Sequence, residues 1–340
     1  MLQKHKLKGP WRITFDTNPD LCNLHCIMCE ERSRYKKSIN RQNRLMDFDI
    51  IRKVIDDSIE FGLKEVIPST MGEPLLYTHF EELLDLIKGY DLRLNLTTNG
   101  TFPGLGAEKW AEIIMPITSD IKISINGAFK ETSESIMEGI NFEQQLENIK
   151  RIVEIRDKIR ETGLNYPTIT FQVTFMERNI EEFPALLNLA INMDIDRFKG
   201  HHLWITHQEL FDESLRRNKE SIQRWNKTVK TLYMISEQNC LKNMNKIKLD
   251  NINELKNYED NLIPKSWICP FLGKEAWIAW DGTFNVCCAP NDLRKTLGYF
   301  GNVKETNLIE LWNSPEYDGL ISNWGTYKVC SQCNMRRPLL

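Results

Sequence analysis

The stretch WRITFDTNPDLCNLHCIMCEE, residues 11–31, runs an apolar segment straight into a loop that carries Cys22, Cys26 and Cys29. Bulky and β-branched side chains in 11–17 predict a strand, so the thiols at i, i+4 and i+7 lie on the loop that leaves it. Three thiols are one short of a closed structural zinc site, which takes four protein ligands, and the nearest fourth candidate, His25, abuts Cys26 and is poorly set to share its metal. A zinc site or a group of buried thiols stands as the structural alternative.

Outward from this loop the pattern repeats. Further strands are predicted at KEVIPS (64–69), RLNLTT (93–98), DIKISI (120–125), TITFQVTF (168–175) and RFKGHHLWI (197–205). Between them, 48–62, 81–90, 108–115, 143–159 and 181–191 carry apolar residues at helical spacing, and the first stops at Gly62. Strict strand–helix alternation means a parallel sheet, and about 200 residues of it predict an α/β fold, a partial (β/α)6 TIM-like barrel. In such folds the chemistry sits on loops leaving the carboxyl ends of strands. A polar helix is expected at 214–240, a short strand in KIKLDNI and a charged connection in NINELKNYEDNL. From 264 the chain changes to short alternating strands, with Asp281-Gly282 as a hairpin turn. The expected domains are 1–213, a connecting 214–263 and 264–340.

Composition narrows the function. The 340 residues are 41% hydrophobic, enough for a full core. Forty-four Lys and Arg stand against 47 acids, a net charge of −3, so no basic excess recommends nucleic acid as a partner. No apolar run has the length of a signal peptide core or a membrane span, and a soluble, cytoplasmic protein is expected. In that reducing compartment nine cysteines argue for metal binding or thiol chemistry. Cys22, Cys26 and Cys29 form one group, Cys269, Cys287, Cys288, Cys330 and Cys333 a second, and Cys240 stands alone.

The CxxxCxxC spacing, followed by Gly72-Glu73-Pro74 after the second strand, resembles the radical S-adenosylmethionine (SAM) superfamily. The resemblance implies a [4Fe–4S] cluster on Cys22, Cys26 and Cys29 whose fourth iron is left to the amino and carboxylate groups of SAM. It implies further that Gly72, Glu73 and Pro74 face the SAM ammonium, although Met71 stands where a glycine is usual. Met28 takes the position whose backbone faces the adenine. Ser124 and Asn126 correspond to ribose and carboxylate contacts, and Thr98 and Asn99 face the same mouth. For each of these, a strand-end residue satisfying backbone groups is the plainer alternative. His201, His202 and Trp204 end the sixth strand, where they could line the adenine or substrate pocket or lie half-buried.

Cys269, Gly282, Cys287 and Cys330-x-x-Cys333, with Gly301, Asn302 and Trp312 between, follow the order of the shortened SPASM module called the twitch domain. This resemblance implies an auxiliary [4Fe–4S] cluster held by Cys269, Cys287, Cys330 and Cys333, with a four-thiolate zinc knuckle as the alternative. Cys288 displaces Cys287 if strand alternation runs the other way. The implied chemistry is reductive cleavage of SAM by one electron from a flavodoxin or ferredoxin, then hydrogen abstraction from a small polar metabolite or a peptide. Oxidation, with the auxiliary cluster as electron acceptor, is the first outcome. An epimerase with Cys240 as hydrogen-atom donor is the second, and a non-enzymatic iron–sulfur or zinc protein the third. Entry into strand one by about residue 11 favours a metabolite, because many peptide-modifying relatives carry a leader-binding domain before it. The charged ERSRYKKSINRQNR (31–44) reads as solvated surface or as a greeting for an acidic substrate.

Overall fold

The structure, a computed structural model, describes residues 6–36, 43–69, 71–255, 263–333 and 335–338. Among the described residues the strands are β1 (Arg12–Phe15), β2 (Glu65–Ile67), β3 (Arg93–Thr98), β4 (Thr118–Ser124), β5 (Thr168–Phe175), β6 (Arg197–His202), β7 (Lys248–Asp250), β8 (Glu275–Ile278) and β9 (Phe284–Asn285). The helices are α1 (Phe48–Ser58), α2 (Phe80–Gly89), α3 (Gly106–Ile114), α4 (Lys130–Ile136), α5 (Phe142–Glu161), α6 (Phe183–Asn192) and α7 (Lys219–Gln238). Short C-terminal helices follow: α8 (Asn291–Lys295), α9 (Leu308–Trp312), α10 (Pro315–Asn323) and α11 (Lys328–Ser331). No helix among the described residues is long and apolar enough to cross a membrane.

The chain divides into two compact units, one of Met1–Leu21, Asn40–Asn95 and Leu262–Leu340, the other of Cys22–Ile39 and Leu96–Asn261. In the first, the strand order is β3-β2-β1-β8-β9, parallel except for the β8–β9 hairpin. Arg12 fixes its centre, reaching Glu65 of β2 at 3.0 Å and Glu275 of β8 at 2.8 Å. From 264 onward the chain contributes β8 to this sheet beside β1, in the register Arg12↔Glu275. Asp281-Gly282 does turn the hairpin, since Gly282 has φ +89° and a Cβ there would meet Asn302 Oδ1 at 2.6 Å. The remaining regular structure described in that segment is helical: α9 and α10 bury Trp312 and Tyr317, whose indole N–H donates to Leu7 O and whose hydroxyl accepts from Gly273 N–H.

The second unit orders β4-β5-β6-β7, all parallel, and receives the end of β3. Side chains alternate along each strand. Ile121, Ile123, Ile169, Phe171, Val173, Phe175 and Phe198 are fully buried, and Phe175 meets Phe183 of α6 and Trp225 of α7. Burial of each such phenylalanine is worth about 1.5–3 kcal/mol. The opposite face carries Lys122, Ser124, Thr170, Gln172 and Lys199. β6 ends at His202 rather than at 205, and α7 starts at Lys219, capped by the Asn218 side chain, rather than at 214.

Candidate metal centres

In the second unit, the Cys22–Cys29 loop has little regular structure and is held by its neighbours. His25 and Ile27 N–H groups donate to Glu138 O and Ile136 O just beyond α4, and the Ser33 hydroxyl donates to Ile27 O. A His207 ring nitrogen lies 3.1 Å from Cys29 O. Leu24 and Ile27 bury themselves with Ile136, Met137, Ile140, Met176, Leu203 and Leu210, and Cys22, Cys26 and Met28 pack against that cluster. Most of these residues follow the carboxyl ends of β4, β5 and β6, so the thiols are presented at that end. Leu24 N–H points at Cys22 Sγ and Arg32 N–H at Cys29 Sγ, each at 3.4 Å. Burial, then the neighbouring Cys29 and Cys22, push the Cys26 thiol well up. Burial raises Cys29 too, partly offset by the Glu31 and Arg32 N–H groups.

Of the predicted strand-end residues, Asn99 meets this loop. Asn99 donates to Asn23 Oδ1 at 2.8 Å and stands 3.8 Å from Cys22 Sγ; Thr98 Oγ accepts from Gly100 N–H. Asn126 is buried, its amide oxygen taken by Thr174 N–H and its carbonyl by Asn179, so only its NH2 could face a ligand. Sequence reading missed Gln145. Its NH2 joins the ends of β3 and β4 by donating to Asn99 O and Ser124 O at 2.7 and 2.9 Å. A glutamine on the Phe142-Gln145-Ile149-Ile152 apolar stripe of α5 was the available signal.

Gly72, Glu73 and Pro74 belong to the first unit. There Gly72 has φ +78° and a Cβ would stand 2.1 Å from Asn18 O, so no other residue fits. Glu73 is 1% exposed. Its N–H donates to Leu21 O, its carbonyl accepts from Asn18, and its carboxylate accepts from Leu75 N–H, capping the turn that Pro74 opens. The residue that Glu73 grips immediately precedes Cys22 in the chain.

Two expected site residues lie elsewhere. The His202 ring shares the helix-covered face of β6 with Phe198 and Gly200 and packs edge-on against Trp225 at 4.7 Å and Phe175 at 5.5 Å. Alternation gives the polar face to His201 instead. Cys240 is exposed just past α7, where Lys242 N–H donates to Asp194, a residue leading into β6. That is the amino end of the strands, opposite to the Cys22–Cys29 loop.

The first unit gathers the C-terminal thiols. Cys330 lies within electrostatic reach of Cys269, Cys333 and Cys287, Cys269 of Cys333, and Cys287 of both Cys269 and Cys333. Burial first, then these neighbours, push Cys269 and Cys330 up to about 12 and Cys287 and Cys333 to about 11. Phe271 and Leu272 N–H groups turn to Cys269, Ala289 to Cys287, and Met335 and Arg336 to Cys333. Cys288 also faces Cys287, Cys333 and Cys269, but no backbone N–H offsets its rise.

These donor sets fit iron–sulfur clusters. Backbone N–H groups aimed at sulfur stabilise ligated thiolates, and thiols held protonated by burial ionise when metal takes the proton's place. Among the described residues no three His, Cys, Asp or Glu converge as they would on one ion, whereas a cubane spreads its bonds over four irons. One three-thiol loop at strand ends and one four-thiol set, on a mostly parallel α/β scaffold, are the donor types that iron–sulfur clusters take.

Comparison with known proteins makes the class specific. The sequence model of the Radical SAM superfamily matches residues 19–190, half of the chain, and that of the SPASM iron–sulfur cluster-binding domain matches 269–334. The chain belongs to the radical SAM superfamily, with a C-terminal SPASM domain, a SAM-binding [4Fe–4S] cluster and auxiliary cluster binding. It is 25% identical, over 93% of its length and 85% of the relative's, to the tungsten-containing aldehyde ferredoxin oxidoreductase cofactor-modifying protein of Pyrococcus furiosus. It is 29% identical to a probable GTP 3′,8-cyclase of Methanococcus maripaludis, over 49% of this chain and about half (51%) of that one. In fold it resembles Streptococcus suis SuiB bound to SAM (TM-score 0.66, 16% identity, 98% of this chain and 74% of that one) and anSMEcpe with bound SAM (0.66, 16%, 96% and 86%). The fold is a partial TIM-like barrel with a C-terminal domain.

Proposed function

We propose that this chain oxidises a small polar metabolite, dehydrogenating or cross-linking it. In this reading Cys22, Cys26 and Cys29 hold the SAM-binding cluster, and Cys269, Cys287, Cys330 and Cys333 hold one auxiliary cluster that accepts the second electron. When bound, the front cluster and SAM supply a 5′-deoxyadenosyl radical able to take hydrogen from an unactivated C–H bond.

The residues divide the remaining work. The three thiolates leave one coordination position to SAM. The buried Glu73 carboxylate, beside the glycine turn, offers a partner for the SAM ammonium, and Met28, Thr98, Asn99, Ser124 and Asn126 bound the rest of the cofactor. Leu24, Ile27, Met176 and Leu203 keep the loop dry, which limits quenching by water. A flavodoxin or ferredoxin delivers the first electron.

The observation that carries the oxidative reading is the closed C-terminal set, since four thiolates that ligate every iron leave no position for substrate and suit electron transfer. The sequence relatives are named for work on a cofactor and on GTP, which supports a metabolite over a peptide. Anaerobic reconstitution with a chemical reductant and SAM tests it: 5′-deoxyadenosine forms, and candidate metabolites give a product lighter by two hydrogens. A product of unchanged mass carrying solvent deuterium would instead mean epimerisation.

A further inference from the structure

Arg336 is a buried cation. It is 4% exposed, and among the described residues its hydrogen bonds end on backbone carbonyls. Nε donates to Trp267 O at 2.9 Å, Nη2 to Trp267 O at 2.6 Å and Pro264 O at 2.7 Å, and Nη1 to Cys330 O at 3.3 Å. Its other plane lies over the Trp324 ring at 4.7 Å. Among the described residues the ionisable groups that face it are the thiols of Cys333, Cys330 and Cys269. A buried guanidinium held by carbonyl partners is costly, because dipoles do not replace an opposite charge. The cost falls when an anionic group is held beside it.

We propose that Arg336 is the counter-charge of the auxiliary cluster, a positioning residue that makes one-electron reduction of that cluster easier than four thiolates alone would allow. The inference rests on the auxiliary-cluster reading above. Four thiolates outweigh the charge of the iron–sulfur core, so the site is net anionic and becomes more so on taking an electron. A fixed positive charge beside three of the ligands opposes that build-up, and net charge near a cluster is one of the levers that set its potential. The carbonyl contacts serve the same end, since they clamp the guanidinium between the segment before Cys269 and the turn that carries Cys330 and Cys333.

The test is a potentiometric titration, followed by electron paramagnetic resonance, of the full chain reconstituted with iron and sulfide. Wild type, Arg336→Lys and Arg336→Gln are compared, the auxiliary signal being the one that added SAM leaves unchanged. Arg336→Gln should lower the ratio of reduced to oxidised auxiliary cluster at fixed potential at least tenfold, a shift of about 59 mV for one electron. Arg336→Lys should stay within roughly threefold of wild type, and the front cluster should not move. An unshifted potential in a Gln variant that keeps its iron overturns the proposal, as does a Lys variant that shifts as far as Gln. If Gln loses the cluster, iron retained by Lys supports the charge role, and equal loss in both overturns it. Wild type that assembles no second cluster would sink the auxiliary-cluster reading itself.

Discussion

A methyl group at Gly72 would have to occupy the place of the Asn18 carbonyl oxygen, 2.1 Å away, on a backbone with φ +78°. Gly72→Ala should therefore cost ~2 kcal/mol or more in chemical denaturation. It should also weaken SAM binding, because the same turn sets Glu73 against Leu21. Among the thiols the expectations part: Cys26→Ala should abolish 5′-deoxyadenosine formation, whereas Cys240→Ala, exposed at the far end of the strands, should leave it within about twofold of wild type. The first group of thiols was legible because metal ligands are read by type and spacing, which local sequence fixes. Between a mouth position and a half-buried one the sequence could not decide for His202, because its face depends on strand parity, and β6 ends where His201 turns to the polar side. Arg336 was not legible, and Gln145 only as a polar residue on the apolar stripe of α5. Their partners are backbone carbonyls, which leave no mark in a sequence.

At the scale of elements, β3 and β5 fall where the apolar runs predict them, and α1 ends through a 3-10 turn at Gly62, φ +101°. The strands predicted in WIAWDGTFNVCC form as β8 and β9 about Asp281-Gly282, and beyond them, where the pattern predicts no element, α9 and α10 form. Asn307 and Ser314 cap their first turns, and their apolar residues, Trp312 and Tyr317 above all, are needed on one side of a helix. The joint between β3 and β4 offers a test of how elements position the site. Gln145→Leu removes the donor that ties their ends and leaves Asn99 O and Ser124 O short of a partner. A loss of about 1–3 kcal/mol is expected, with a raised KM for SAM, measured by thermal or urea unfolding and by steady-state kinetics.

Across the whole molecule, the two compact units interleave along the chain, which sequence reading in consecutive blocks could not anticipate: β8, late in sequence, pairs with β1. Stability in the second unit leans on Arg156, fully buried among Asp157, Asp194 and Asp196. Arg156→Met removes the buried cation these acids share, leaving Asp157 and Asp194 to the partly exposed Arg160, and should cost about 3–5 kcal/mol. A pH effect follows from His201, whose ring is lowered from 6.5 to about 4 by burial and then by Lys199. Between those values the unfolded chain binds the extra proton. This contribution to stability is intact above pH 6.5 and fades as the pH falls toward 4, and His201→Gln should flatten that window of the denaturation curve.

The central claim is that the three-thiol loop reserves one iron for SAM. Electron–nuclear double resonance on the reduced holoprotein, with SAM carrying nitrogen-15 in its amino group, tests this directly. A hyperfine coupling from that nitrogen, absent in Cys26→Ala, is the predicted result. An assembled, reduced front cluster that shows no such coupling, with a protein side chain on its fourth iron, would contradict the account.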